Sequence, residues 1–136
     1  MPGISEYNKA VIRRAFEAWR AGTGSVFDLL TPDATWTIVG NCPVARTYRG
    51  KSDFMDMMIK PFSARLSTRL VPTAPTLYGD GDMVIAYFSA SAIAKDGRPY
   101  RNTYTWYMQV RDNKIFNAIA FFDTVDFNDL WNRVPA

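Results

Sequence analysis

The stretch from Tyr100 to Asp123, YRNTYTWYMQVRDNKIFNAIAFFD, constrains the fold most. It reads as two long strands joined by a tight turn at Arg111-Asp112-Asn113-Lys114. Side chains alternate along a strand. Tyr100, Asn102, Tyr104, Trp106 and Met108 therefore share one face, and Arg101, Thr103, Thr105, Tyr107 and Gln109 share the other. The second strand is almost wholly apolar and ends in a single carboxylate, Asp123. An acid at the end of an apolar strand is the first place to look for chemistry.

The segments before this hairpin predict helices first and strands later. Over residues 5–21 apolar side chains recur at helical spacing (Ile4, Tyr7, Val11, Ala15, Phe16, Trp19), with Arg13, Arg14, Glu17 and Arg20 mostly opposite and Gly22 as a stop. Ser25 and Asp28 have capping-box spacing and predict a short second helix ended by Pro32. A short strand over 34–39 leads into a loop from Gly40 to Gly50. Ser52 is the expected N-cap of a third helix over 53–60, stopped by Pro61. Strands follow over 70–78, where Pro72 and Pro75 force bulges or an edge position, and over 83–95, before the hairpin signal Asp96-Gly97. Asp126, with Asp129 three residues on, is expected to cap a last helical turn. Helices against one face of an antiparallel sheet make an α+β domain, here a single one over residues 1–136.

Composition narrows the function classes. With 48% hydrophobic and 15% aromatic residues, the chain has material for a large apolar interior, a lined pocket or a buried interface. The net charge of +3 is scattered, and Arg13-Arg14 is the only adjacent basic pair, so no tract tracks a phosphate backbone and nucleic acid is not an expected partner. The lone Cys42 cannot form an intrachain disulfide, which fits a reducing compartment. No apolar run approaches the ~18 residues of a membrane span. No signal peptide is apparent, so a cytoplasmic protein without a membrane partner is expected. The chain has no histidine, which excludes histidine acid–base catalysis and histidine-ligated metal sites. Nothing resembles a metal cluster or a phosphate loop, so neither a metal nor an organic cofactor is expected.

Several pieces, in order, resemble the SnoaL-like group of the NTF2-like fold. They are Ala21-Gly22, Leu30-Thr31-Pro32-Asp33-Ala34-Thr35-Trp36, Tyr48-Arg49-Gly50, Tyr100-Arg101-Asn102-Thr103-Tyr104, Asp112-Asn113-Lys114-Ile115 and Phe122-Asp123-Thr124. The resemblance implies an NTF2-like cone, a curved antiparallel sheet wrapped around N-terminal helices with an apolar cavity at its wide end. It also implies a homodimer through the outer face of the sheet. Related activities include steroid isomerases, polyketide cyclases, epoxide hydrolases and dehydratases, and the fold alone does not choose among them.

On this resemblance Asp123 matches the general base of the SnoaL-type cyclases, which removes a proton alpha to a carbonyl; the competing reading is a carboxylate that caps the next turn or pairs with Arg101 or Arg111. Asn102 and Tyr104 are expected to polarise a substrate oxygen, against a packed core with a satisfied buried amide. Trp106, Trp36 and Tyr48 are candidates for pocket wall or ordinary core. Trp19, Phe16 and the methionines of the third helix read most simply as core, with an adaptable methionine wall as the lesser reading. Parts of each named activity are missing. Ile38 stands where the steroid isomerases carry a base and Ala15 near their tyrosine. Thr103 stands where the epoxide hydrolases carry a second acid, and the histidine often paired with the cyclase aspartate is absent. The expected function is therefore binding of a small, mostly apolar, carbonyl-containing molecule, with isomerase, cyclase or lyase chemistry through Asp123. A non-catalytic carrier, a dimeric binding module, or a scaffold with a filled cavity are the alternatives.

Overall fold

A computed structural model describes residues 3–136. Helix α1 (Ile4–Ala21) ends as its glycine predicts. Gly22 takes φ 79°, open to a residue without Cβ, and its N–H donates to the Trp19 carbonyl while the Thr23 N–H donates to that of Ala18. The buried stripe begins at Asn8 and runs through Val11, Ile12, Phe16 and Trp19. The first turn leaves Ile4 and Tyr7 exposed, although their spacing fits the stripe.

The Ser25–Asp28 capping box forms: the Phe27 N–H donates to Ser25 Oγ at 2.9 Å and the Ser25 N–H donates to the Asp28 carboxylate at 2.9 Å. It starts a single 3-10 turn, Val26–Leu29. Pro32 does not end that turn. It lies inside strand β1 (Leu30–Ile38), where pairing with the neighbouring strand breaks register between Leu30 and Thr35, so the N–H that proline lacks is not needed. Within the expected loop, Thr47–Arg49 forms strand β2 antiparallel to β1, with Trp36 opposite Tyr48. Three residues are too few to display a period.

Pro61 does not stop the third helix either. Helix α2 (Lys51–Phe54), a π-helical turn (Met55–Ile59) and helix α3 (Lys60–Ser63) run on as one rod, starting after Gly50 rather than at a Ser52 cap. Proline cannot supply the i→i−4 hydrogen bond of a regular helix, and the widened turn directly before it removes that demand.

Strands β3 (Val71–Pro72), β4 (Thr76–Asp80), β5 (Met83–Ile93), β6 (Pro99–Arg111) and β7 (Lys114–Phe122) complete a seven-stranded sheet. Its order is β2-β1-β7-β6-β5-β3, with β4 also paired to β5. The β6–β7 turn has Asp112 at φ 52° and Asn113 at φ 64°, the two left-handed residues a tight hairpin needs. The sheet is mixed rather than antiparallel throughout, because β1 runs parallel to β7. The fold is an α+β cone: a curved, unclosed sheet with the helices in its concavity.

Helix α4 (Thr124–Arg133) is longer than the single turn expected, and its N-cap is Asp123, not Asp126. Arg65 ties α4 to the rod. Its guanidinium lies 3.6 Å over the Trp131 ring, and it donates to the carbonyls of Trp131 and Pro61. Among the described residues no helix is long and apolar enough to cross a membrane.

Candidate functional site

At one register of the inner sheet face a large side chain stands between two small ones. Trp106 has Ala86 on one side and Ala120 on the other. On the Ala120 side the room beside the indole is only partly filled from above. The result is a cavity of about 540 Å³. The sheet supplies Trp36, Ile38, Tyr104, Trp106, Ala120 and Phe122 to it; Met55, Met58, Ile59 and Phe62 come from the rod. Trp19, Phe27 and Phe127 close the apolar wall.

The aromatic rings brace one another. Trp19 stacks on Trp106 with centroids 5.8 Å apart and planes 5° from parallel. Trp36 stacks on Phe54 at 4.6 Å and meets Trp106 edge-on at 5.0 Å. Such contacts fix ring orientation beyond what area burial does. The methionines of the π-helical turn supply the flexible part of the wall.

Polar groups in the lining are few. Among the described residues Arg69 is its one ionic side chain, and it is exposed at the rim, where it donates to the carbonyls of Trp19 and Arg20. It neutralises the carbonyl end of α1 there. Ser25, Ser63, Ser67 and Thr68 also touch the cavity. No carboxylate does, among the described residues. Among the described residues the one buried hydroxyl in the wall is that of Tyr104, a residue 7% exposed. Its hydroxyl lies 2.8 Å from that of Tyr100. Burial, followed by the neighbouring Tyr100, pushes the Tyr104 phenol well above its ordinary range, and burial pushes Tyr100 up to about 12. Both are neutral hydroxyls at physiological pH.

Of the residues singled out in the sequence, Trp36, Tyr104 and Trp106 meet in the cavity wall, and Asn102, Tyr48 and Asp123 do not. Asn102 is buried behind it. Its Nδ2 donates to the Asp123 carbonyl and to Tyr100 Oη, each at 2.9 Å, and its Oδ1 accepts from the N–H groups of Thr103 and Asp123. Every polar atom of the amide is used inside the protein, so it is a clamp between β6 and the end of β7 rather than a ligand contact. Tyr48 packs against Phe54 at 5.6 Å and donates its hydroxyl to the Val44 carbonyl at 2.7 Å, on the far side of that ring.

Asp123 corrects the expectation most. Its side chain is exposed, it is not in the cavity wall, and its Oδ1 accepts from the Val125 N–H at 2.9 Å. This is the capping reading. The strand ends one residue before Asp123, and its side chain turns toward the orphan donors of α4 instead of into the cone.

The sequence reading missed Phe27, Phe54, Phe62 and Phe127 as wall, and gave Trp19, Met55 and Met58 mainly to core. Their spacing marks them as inward-facing, but nothing in a periodicity separates a residue against a neighbour from one against a void.

Comparison with solved structures returns the same fold. Bal32a, from a soil-derived mobile gene cassette, aligns over 93% of this chain and 98% of its own at 16% identity, with a TM-score of 0.75. An NTF2-like protein from Burkholderia thailandensis aligns over 90% and 95% at 17% identity, with a TM-score of 0.73. TerC, crystallised with polyporic acid, aligns over 92% and 98% at 18% identity, with a TM-score of 0.71. No curated protein matches in sequence. The sequence profile of the SnoaL-like domain matches residues 12–118, from the middle of α1 to the middle of β7. The chain therefore belongs to the SnoaL-like domain family, on an NTF2-like fold.

Proposed function

We propose that this protein binds a small, mostly apolar, carbonyl-containing molecule in the cone cavity, and does so as a carrier or binding module without a general base of its own. The observation that carries the reading is the cavity of about 540 Å³ walled by stacked aromatic rings, with a single buried hydroxyl, Tyr104, in its depth. That volume and lining suit a drug-sized ligand. TerC, of the same fold, was crystallised with a small organic molecule, which supports small-molecule binding as a use of this architecture. The binding reading is favoured over an isomerase, cyclase or lyase because the chain has no histidine, the lining holds no carboxylate among the described residues, and Asp123 is engaged as a helix cap.

The test uses the tryptophans in the wall. Titrating the protein with 2-isopropylnaphthalene quenches Trp19, Trp36 and Trp106 saturably, and Ala120→Leu, which fills the space beside Trp106, weakens that binding about tenfold or more while the protein stays folded. Linear, non-saturable quenching, or equal affinity in the filled variant, rejects the cavity as the site.

The homodimer through the outer sheet face belongs to the same reading. Tyr87 and Phe121 are about half exposed there, and Phe121 pairs with Tyr107 at 5.8 Å. Sedimentation equilibrium of Tyr87→Lys/Phe121→Lys against the parent protein decides it: the parent sediments as a dimer and the variant as a monomer, and a monomeric parent removes the dimer.

A further inference from the structure

The hydrogen bonds behind Tyr104 have a direction. Asn102 Oδ1 accepts two backbone N–H groups, from Thr103 at 2.8 Å and Asp123 at 3.2 Å, which fixes the amide, since the flipped amide would set N–H against N–H. Both Nδ2 hydrogens are then assigned, one to the Asp123 carbonyl and one to Tyr100 Oη. Tyr100 is thus an acceptor from Asn102. Two hydroxyl protons belong to Tyr100 and Tyr104, and one of them fills the 2.8 Å bond between the two oxygens. If Tyr104 donated, the Tyr100 proton would be left buried with no acceptor, in a residue 2% exposed. With Tyr100 donating, every proton in the chain is used except that of Tyr104, the one member that lines the cavity.

We infer that Asn102 and Tyr100 are positioning residues that turn the Tyr104 proton into the cavity, so its deep end is a donor that takes a carbonyl or ionised-enol oxygen and rejects an alcohol. This rests on the cavity being the ligand site. A carbonyl oxygen accepts and has nothing to donate. An alcohol oxygen at the same point accepts the Tyr104 proton but buries its own O–H against the Trp106 and Phe122 rings that pack beside Tyr104, with no carboxylate in the lining among the described residues, and a buried unpaired donor is costly. The relay also polarises the last hydroxyl, as successive hydrogen bonds strengthen one another. Burial keeps Tyr104 protonated, which preserves the donor at physiological pH.

The experiment compares three ligands of one shape in the intact protein: 2-isopropylnaphthalene, 1-(2-naphthyl)ethanol and 2-acetylnaphthalene. Affinities come from tryptophan quenching, and the C=O stretch of bound 2-acetylnaphthalene from infrared difference spectra. The ketone is expected to bind about tenfold more tightly than the alcohol, the cost of one unpaired buried hydroxyl. Its C=O stretch moves to lower frequency on binding. Tyr104→Phe loses that shift, and Tyr100→Phe reduces it while hydrocarbon affinity is kept, a change that a merely structural role for Tyr100 does not produce. The two measurements on the unmodified protein need no variant to fold. Equal binding of ketone and alcohol, or a C=O stretch as in hydrocarbon solvent, overturns the inference while saturable hydrocarbon binding leaves the cavity reading standing. If none of the three ligands binds, both fall.

Discussion

Asn102 and Asp123 meet at the same corner of the molecule, and they hold it by opposite means. Asn102 is 3% exposed and grips the backbone of Asp123 through both its N–H and its C=O. Asp123 is exposed and grips the first turn of α4 with its side chain. One is an uncharged amide placed where a charge would be expensive; the other is a charge left in water where a cap needs only an oxygen. The lesson is that the buried partner carries most of the stability, while the ionisable partner, which looks like the chemistry, is the replaceable one.

The largest break in this comparison is Asn102→Leu. Leucine matches the volume and the strand face but satisfies none of the four hydrogen bonds, leaving the Asp123 N–H and C=O and the Tyr100 hydroxyl without that partner. A loss of about 3 kcal/mol is expected by urea unfolding. A loss under about 1 kcal/mol would mean that water or backbone adjustment replaces the clamp.

Next in size is Tyr100→Phe, which orphans one Asn102 N–H and is expected to cost about 1–2 kcal/mol. It also carries a pH signature. Tyr100 titrates near pH 10 when unfolded and is pushed up to about 12 by burial when folded. The stabilising difference is fully present below pH 10 and is lost as pH rises through about 12, because the unfolded chain ionises first. Urea midpoints measured from pH 9 to 12 should fall in the parent protein, and Tyr100→Phe should remove part of that fall. Tyr104 shares the trend, so the variant keeps some slope.

The hairpin shows how much of this was legible beforehand. Alternation along Tyr100–Met108 identified the inward face, and the Asp-Asn turn fixed the β6–β7 register, because both are local rules with a period of two. The α+β cone followed from the order of elements. Three things were hidden. Pro32 and Pro61 read as stops, but a register break against β7, distant in sequence, absorbs the first, and a π-helical turn directly before it absorbs the second. The parallel β1–β7 pairing brings together strands that a whole meander separates, which no local pattern encodes. The cavity wall was half legible: a strand face names Trp36, Tyr104 and Trp106 as inward, but whether an inward side chain meets packing or space depends on the residue across from it, as with Ala120 beside Trp106.

Asp123→Ala sharpens the other side of the comparison. It removes the Val125 hydrogen bond but leaves the backbone of residue 123 in the Asn102 clamp, so the loss is that of one N-cap, about 1 kcal/mol. The double variant with Asn102→Leu should cost less than the sum of the two, since a corner already released has less cap to lose. Strict additivity in urea unfolding would mean that the clamp and the cap act independently.

The smallest expected effect discriminates best. Asparagine caps helices as well as aspartate, so Asp123→Asn should change stability by less than about 0.5 kcal/mol. It should also leave the affinity for 2-acetylnaphthalene unchanged, because the carboxylate is exposed at the head of α4 and outside the cavity wall. A general base at this position requires the opposite: proton exchange alpha to the carbonyl of a bound ketone that is fast in the parent protein and lost in the variant. Deuterium incorporation into the methyl group of bound 2-acetylnaphthalene in D₂O, followed by NMR for both proteins, separates the two. Equal rates leave Asp123 as a cap, and exchange that disappears in Asp123→Asn would require the α4 corner to open and swing that carboxylate into the cone.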